Sequence, residues 1–367
     1  MTLVKNFLRR EPVLVISLLA AVISCIFVPP DASYLNYIDF RTLALLYALM
    51  AVVAGLRQAG VFSALARTLC GRAKSTRAIG VVLVCLSFFS SMLITNDVAL
   101  LTFVPFAAVV LSLTGNMEAL GTVVVLQTVA ANLGSMLTPV GNPQNLFLYS
   151  YYNFSFGDFL KITFPVWAVS LFLLLLACMG LKKSPLNALP EEKSQFDAKA
   201  FALHMILFAV CLLTVLRVLP WPVMLGIVVL VLLIFDRDTL KKPDFMLLLT
   251  FAAFFVFSGN LARIPAVDSL LRNLLTGREY LTSLLTSQVI SNVPAALLLS
   301  GFTENGKALL LGVNIGGLGT PIASLASLIS LKLYAQTGNA KTGKYLMEFI
   351  LVNLALLVIL SLFRVLL

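Results

Sequence analysis

The sequence predicts an all-α polytopic membrane protein made of two inverted repeats, each holding a re-entrant hairpin and an interrupted transmembrane helix. Three observations point there: an apolar composition, apolar runs of bilayer length recurring along the chain, and an internal match that keeps its order. Of the 367 residues, 60% are hydrophobic and 11% are charged, whereas a soluble domain carries roughly a quarter charged residues. No soluble interior hides that much apolar surface, so the bilayer is the solvent for much of it.

A helix crosses a bilayer with roughly 20 apolar residues. Full spans are expected at about 13–29, 40–57, 163–181, 200–218, 220–235, 245–262 and 345–366. Four further apolar stretches, near 78–113, 118–151, 278–303 and 307–336, carry Asn, Gly, Pro, Ser or Thr at their middles. Backbone breaks inside a membrane only where protein or a polar cavity receives the freed groups. Those breaks are where function should lie.

The net charge of +10 does not point to nucleic acid, because the basic residues cluster in short loops between apolar runs. That is the positive-inside pattern of membrane topology. The five cysteines are scattered, and none forms a ligand pair or a disulfide framework. Residues 13–28 follow Lys5, Arg9 and Arg10 and resemble a signal peptide. Pro29, Pro30 and Asp31 stand where a cleavage site of small residues would be, so the segment reads as a retained span.

With a cytoplasmic N-terminus, hairpins at 78–113 and 278–303, and the other two interrupted stretches crossing once, most of the 26 Lys and Arg fall inside. The loop with Arg57, Arg67, Arg72, Lys74 and Arg77 has no acid, and 182–199 and 236–244 also fall inside, with four and three basic residues. The chain thus divides into a first repeat at 1–181, a cytoplasmic linker at 182–199 and a second repeat at 200–367. An odd number of crossings between equivalent segments makes the repeats inverted.

Laid over each other, the halves match in order. GVFSALARTLCGR (60–72) answers PAVDSLLRNLLTGR (265–278), each a short amphipathic arm before a hairpin. Thr95-Asn96-Asp97 answers Ser291-Asn292-Val293. Asn132-Leu133-Gly134 with Thr138-Pro139 answers Asn314-Ile315-Gly316 with Thr320-Pro321. Inverted repeats whose broken helices meet near the midplane are an architecture of secondary transporters.

Asp97, in LITNDVALL, is the one acid well inside a long apolar stretch. Intramembrane carboxylates face a cavity or a partner because burying the charge costs several kcal/mol. A helix cap is the plainer role, and a cap can also present N–H groups to an anion while neighbouring carbonyls hold a cation. The counterpart tip, Ser291-Asn292, has Val293 opposite Asp97 and Pro294 in the first helical turn. NLGSMLTPVGNPQN (132–145) is too rich in Gly, Pro and amides to stay helical; NIGGLGTPIAS (314–324) is its partner. Their candidate residues are Asn132, Gly134, Thr138, Pro139, Gly141, Asn142 and Asn145, with Asn314, Gly316, Thr320, Pro321 and Ser324. Packing on small residues is the plainer reading of the glycines. His204 reads as interfacial, Arg217 as a snorkelling span end, and Glu118 and Glu348 as residues of helix starts.

At these residues the sequence resembles the ion transporter superfamily, which includes divalent anion:sodium symporters, arsenite permeases, NhaD-type antiporters and citrate-transporter-like permeases. Thr95-Asn96-Asp97 and Ser291-Asn292-Val293 match the symporters' Ser-Asn-Thr tips in their asparagines and depart at the third residue. Gly141-Asn142-Pro143-Gln144-Asn145 is similar to their Gly-Thr-Pro-Pro-Asn run, while the Asn-Asp pair and the Asn-Val-Pro-Ala tip are closer to arsenite permeases. The resemblance implies a homodimer in the plasma membrane, each protomer with a scaffold and a mobile unit that moves as an elevator. It implies secondary active transport of a small anion, a di- or tricarboxylate such as citrate or an inorganic oxyanion, coupled to sodium or protons. Sodium would sit at Asn96, Asp97 and Asn292, with no other cofactor. Arsenite or antimonite efflux and sodium/proton antiport are the alternatives. An intramembrane aspartyl protease would need a second deep aspartate, and a channel would need a pore ring or filter, so neither an enzyme nor a channel is expected.

Overall fold

The computed structural model describes residues 11–185, 196–338 and 340–366. Among them all regular structure is helical. In chain order the helices are α1 (Pro12–Phe27), α2 (Tyr34–Tyr37), α3 (Phe40–Gln58), α4 (Val61–Cys70), α5 (Thr76–Ile94), α6 (Asn96–Leu113), α7 (Leu120–Ser135), α8 (Pro143–Tyr151) and α9 (Phe156–Met179). There follow α10 (Ala198–Val215), α11 (Trp221–Phe235), α12 (Phe245–Ala262), α13 (Pro265–Leu275), α14 (Glu279–Ile290), α15 (Asn292–Leu299), α16 (Gly306–Ile315), α17 (Leu325–Ala335) and α18 (Thr342–Val365). Among the described residues eight helices are long and apolar enough to cross a membrane. Their outward faces carry large apolar side chains such as Leu93, Phe172, Leu213 and Val358, suited to lipid rather than water. Part of the 182–199 linker, and the basic residues before Glu11, lie outside the described residues.

The polar residues at the ends of these apolar runs work as caps. Asp39, Ser75, Ser155, Asp197, Asp244 and Asn305 each accept a hydrogen bond from a backbone N–H in the first turn of the following helix, satisfying donors that the helix leaves open. Glu118 lies in a 3-10 turn before α7 as expected. Glu348 does not start a helix: α18 begins at Thr342, so Glu348 sits inside it. Arg217 does more than snorkel. It leaves α10 at φ +63°, donates to the Phe154 carbonyl at 2.9 Å and stacks over Tyr149.

Both arms form where the amphipathic stretches stand, as α4 and α13. After each comes a pair of helices folded against each other, α5 with α6 and α14 with α15, and then a helix in two pieces: α7 with α8, and α16 with α17. The legs are unequal. α5 and α6 have 19 and 18 residues, whereas α14 and α15 have 12 and 8. Pro105 in α6 leaves the Leu101 carbonyl without its helical donor, and the Arg57 guanidinium takes it up at 3.3 Å.

Two apolar clusters organise the packing. One gathers residues of α3, α10, α11, α12 and α15, the other those of α5, α6, α7, α9, α16 and α18. Glycines let the second cluster close. α7 crosses α5 at Gly134, where a Cβ would lie 2.1 Å from the Phe88 carbonyl oxygen, and α16 crosses α14 at Gly312, where a Cβ would lie 1.9 Å from Ser283 Oγ. At the far end, Arg263 binds Asp31 at 2.8 Å and donates to Ser33 and Tyr37, tying α12 to the α1–α2 turn. Hydrogen bonds from Arg263 and from Ser33 hold the Asp31 carboxyl down at about 2. Gly134→Ala should lower stability by about 1–3 kcal/mol, the usual range for an overpacked contact. Gly226→Ala, which meets nothing within 4 Å, should leave it unchanged. Thermal unfolding of the two variants in detergent checks this.

Candidate functional site

The hairpin tips share one unusual backbone. α5 stops at Ile94 and α6 starts at Asn96, with Thr95 alone between them at φ 68°, ψ 150°. α14 stops at Ile290 and α15 starts at Asn292, with Ser291 alone between them at φ 74°, ψ 156°. That region is essentially reserved for glycine and costs other residues about 1–3 kcal/mol. Two non-glycine residues hold it at matching points of the chain. Surrounding contacts must enforce the geometry. Ser291 Oγ reaches the Ala323 carbonyl at 3.4 Å, and Thr138 Oγ1 donates to the Met92 carbonyl.

The breaks begin later than the composition suggests. Asn132 and Gly134 remain in α7 and Asn314 remains in α16, while Gly316 is the residue that ends α16. The chain then passes through 3-10 turns at Pro139–Gly141 and Pro321–Ala323 before α8 and α17 start. Asn142 caps α8 by accepting from Asn145 N–H at 2.9 Å. Gly141 lies so close to Ser135 that a Cβ would stand 2.1 Å from its carbonyl oxygen, and a Cβ on Gly316 would stand 2.9 Å from Leu284 Cα.

A network of uncharged side chains joins the two breaks, and each half reaches into the other. Asn132 Oδ1 accepts from Ser324 Oγ at 3.0 Å, and Asn132 Nδ2 donates to Ser327 Oγ at 3.4 Å. Asn314 Nδ2 donates to Asn145 Oδ1 at 2.7 Å, and Asn314 Oδ1 accepts from Asn142 Nδ2 at 3.3 Å. The register that pairs Asn132 with Asn314 also pairs Asn142 with Ser324 and Asn145 with Ser327. Each helical asparagine therefore binds the same two positions of the opposite half. Helix packing repeats the exchange: α8 lies against α15, and α17 lies against α6. Asn96 joins the network by donating to Asn132 Oδ1 at 3.1 Å, and its own Oδ1 accepts from Asp97 N–H at 3.0 Å.

Carboxamides also collect the carbonyls that the breaks release. Asn145 Nδ2 lies 3.2–3.3 Å from the carbonyl oxygens of Ser135, Met136 and Thr138. In the second half Gln288 does this from the hairpin, donating to Gly316 and Leu318 at 2.7 and 2.9 Å. Its Oδ-equivalent, Oε1, accepts from Thr320 N–H at 3.0 Å, and its carbonyl accepts from Thr320 Oγ1 at 3.2 Å. Sequence reasoning missed Ser135, Ser327 and Gln288. The constant register between the breaks would have found Ser327 opposite Asn145. A glutamine three residues before a hairpin tip would have marked Gln288.

Two candidates stand beside the network rather than in it. Among the described residues the Asp97 carboxylate has no hydrogen bond and no ion pair, and the Asn292 amide nitrogen has no hydrogen-bond partner. Asn292 is 4% exposed and approaches Gly317, where a Cβ would fall 2.8 Å from its Nδ2. Pro139 and Pro321 open the two 3-10 turns. Four helices, α6, α8, α15 and α17, thus begin around one polar cluster formed by both halves.

A chain whose broken helices meet this way invites comparison with transporters, and residues 4–304 match the family described as citrate transporter (CitMHS). The chain belongs to the citrate transporter family. Within similar proteins, the uncharacterized transporter MJ0456 of Methanocaldococcus jannaschii is 33% identical over 85% of this chain and 85% of its own length. The inner membrane protein YbiR of Escherichia coli is 30% identical over 81% and 80%. The silicon efflux transporter LSI3 of Oryza sativa is 33% identical over 46% of this chain and 35% of its own length. This member of the citrate transporter family is therefore a polytopic membrane transporter of that type. Asn132→Ala should unbind Asn96 and the Ser324–Ser327 pair together. Asn314→Ala should unbind Asn142 and Asn145. Each loses hydrogen bonds worth about 0.5–1.5 kcal/mol apiece, and because both form one network the double variant should lose less than the sum. Denaturant titration of single and double variants measures that shortfall.

Proposed function

We propose that the chain is a secondary active transporter of two inverted repeats that carries a small anion across the plasma membrane, coupled to sodium or protons, by an elevator motion within a homodimer whose N-termini are cytoplasmic. The observation that carries this reading is the reciprocal exchange in which Asn132 binds Ser324 and Ser327 while Asn314 binds Asn142 and Asn145. A site formed equally by two repeats suits alternating access. The starts of α6, α8, α15 and α17 bring positive dipole ends to the cluster, which favours an anion. The re-entrant reading of the hairpins is supported by Asn96, whose tip position reaches Asn132 at the break of a neighbouring span rather than a membrane surface. Citrate, another di- or tricarboxylate, or an inorganic oxyanion is the expected substrate, with sodium held near Asn96, Asp97 and Asn292.

A specific observation favours a second reading, efflux of arsenite or antimonite, or sodium/proton antiport. Among the described residues the network is built from Asn, Gln, Ser and Thr with no cationic side chain, and Asp97 adds an unpaired carboxylate. A multivalent anion would need cations beside it, whereas a neutral oxyacid would not. The partial similarity to a protein named as a silicon efflux transporter points the same way.

Radiolabelled citrate, succinate, sulfate and arsenite in proteoliposomes, with sodium and proton gradients imposed separately, decide between the readings. On either reading, Asn96→Ala and Asn292→Ala should weaken substrate or ion binding by about tenfold to over a hundredfold, since a hydrogen bond to a charged group is worth roughly 1.5–3 kcal/mol. Wild-type transport in both variants would remove them from the site. Asp97→Asn should fold and lose accumulation driven by the coupling gradient; unchanged sodium and pH dependence would reduce Asp97 to a cap. Single-cysteine labelling from outside should reach α13 and not α4, and equal labelling would end the inverted-repeat reading.

A further inference from the structure

The one histidine in the chain stands apart from the polar cluster and plays no part in it. Its place near a helix start suggests an interfacial residue, yet the structure buries it in the second turn of α10 with 1% of its surface exposed. His204 Nδ1 lies 2.8 Å from the Ala200 carbonyl oxygen. A carbonyl only accepts, so Nδ1 carries the hydrogen. Nε2 then faces Asp236 Oδ2 at 3.4 Å, sealed from water and without a hydrogen-bond partner among the described residues. In a neutral ring that nitrogen holds a lone pair, and two acceptors would point at each other. A proton on Nε2 turns the same contact into an attraction.

The setting is shaped around the ring. α3 passes it at Gly55, where a Cβ would lie 1.9 Å from Nε2, so the imidazole occupies a notch that only glycine leaves open. Histidine and carboxylate line one cavity of about 510 Å³. The charged groups facing it are Asp197 and Lys199 from the start of α10 and Asp236 from the end of α11; α3 contributes Gln58, which is neutral. Asp197 is engaged in capping, accepting from the N–H groups of Lys199 and Ala200. Among the described residues no group of three His, Cys, Asp or Glu is placed to hold a metal ion, so the ligand that this pair fits is a hydrogen ion.

We propose that His204 and Asp236 form a proton-binding site, separate from the candidate transport site, whose protonated state latches α10 to the end of α11 across the glycine notch of α3. A solvent proton adds to the Nε2 lone pair, and no bond is broken. These three helices share one apolar cluster, so the latch sets how firmly that end of the cluster is held. The inference does not depend on what is transported.

Because there is a single histidine, ¹⁵N,¹³C-histidine labelling in nanodiscs reports this site alone. Between about pH 5 and about pH 8, the window in which histidine changes charge, the wild-type ring should gain a hydrogen on Nε2 at the acid end with a through-space coupling to the Asp236 carboxyl carbon. That coupling should be lost at the alkaline end, and the melting temperature should fall with it. His204→Gln should have a melting temperature flat across the window. Gly55→Ala should evict the ring and abolish the coupling to the Asp236 carboxyl carbon. A ring that keeps Nε2 bare across the whole range, or a titration unmoved by Asp236→Asn, would overturn the proposal even if His204→Gln or Gly55→Ala failed to fold.

Discussion

A helix broken within an apolar interior frees carbonyls and N–H groups that lipid cannot satisfy, and the architecture around the two breaks follows from that constraint. A buried polar group left alone costs about 1–3 kcal/mol, and each break frees several. Serines and asparagines serve where solvent cannot. Asn145 gathers three carbonyls of the first break, and Gln288 gathers two of the second. The solutions differ because their sources differ. Asn145 lies on the far side of its own break, whereas Gln288 arrives from the neighbouring hairpin. The second break is therefore held only while α14 stays packed against α16, a contact that Gly312 and Gly316 permit.

The crossing of Asn132 and Asn314 adds a second consequence. Neither asparagine completes its hydrogen bonds within its own half, so each break is finished by the other. Separating the halves would leave each amide with only its partner in its own half, Asn96 for Asn132 and the Leu310 carbonyl for Asn314. The polar cluster is thus a joint product of two stretches nearly half the chain apart. Strain at Thr95 and Ser291 can persist beside it because the tips are fixed from several sides.

Much of this could be read in the sequence, for physical reasons that also explain what could not. Spans such as α3, α12 and α18 announce themselves because about 20 apolar residues have one stable use in a bilayer. The tips and breaks were legible because Asn, Gly and Pro are costly there and so stand out. Boundaries were less legible: Asn132 and Asn314 stay helical because their side chains find partners outside the helix, which composition cannot reveal. Gln288 was missed since one glutamine in an apolar leg looks like any other polar interruption until the carbonyls it receives are known. His204 was misplaced for the same reason. Its burial depends on Gly55, nearly 150 residues earlier, and no local pattern links the two.

The two halves differ most where the network ends. Asn96 is partly engaged: its amide donates to Asn132 and its side-chain oxygen accepts from the Asp97 N–H, with one N–H and one lone pair left over. Among the described residues Asn292, its counterpart, keeps an amide nitrogen without a partner, and Asp97 keeps a carboxylate without one, opposite an apolar Val293. Asn292 thus offers a donor from the second half and Asp97 an acceptor from the first. They are of opposite kind. On the transport reading a ligand with acceptor oxygens belongs at Asn292 and the coupling cation or proton belongs at Asp97, with Asn132 and Asn314 between them. Internal symmetry builds the frame in which the two breaks complete each other. Departures from that match, Asp97 against Val293 foremost among them, make the two tips chemically unequal.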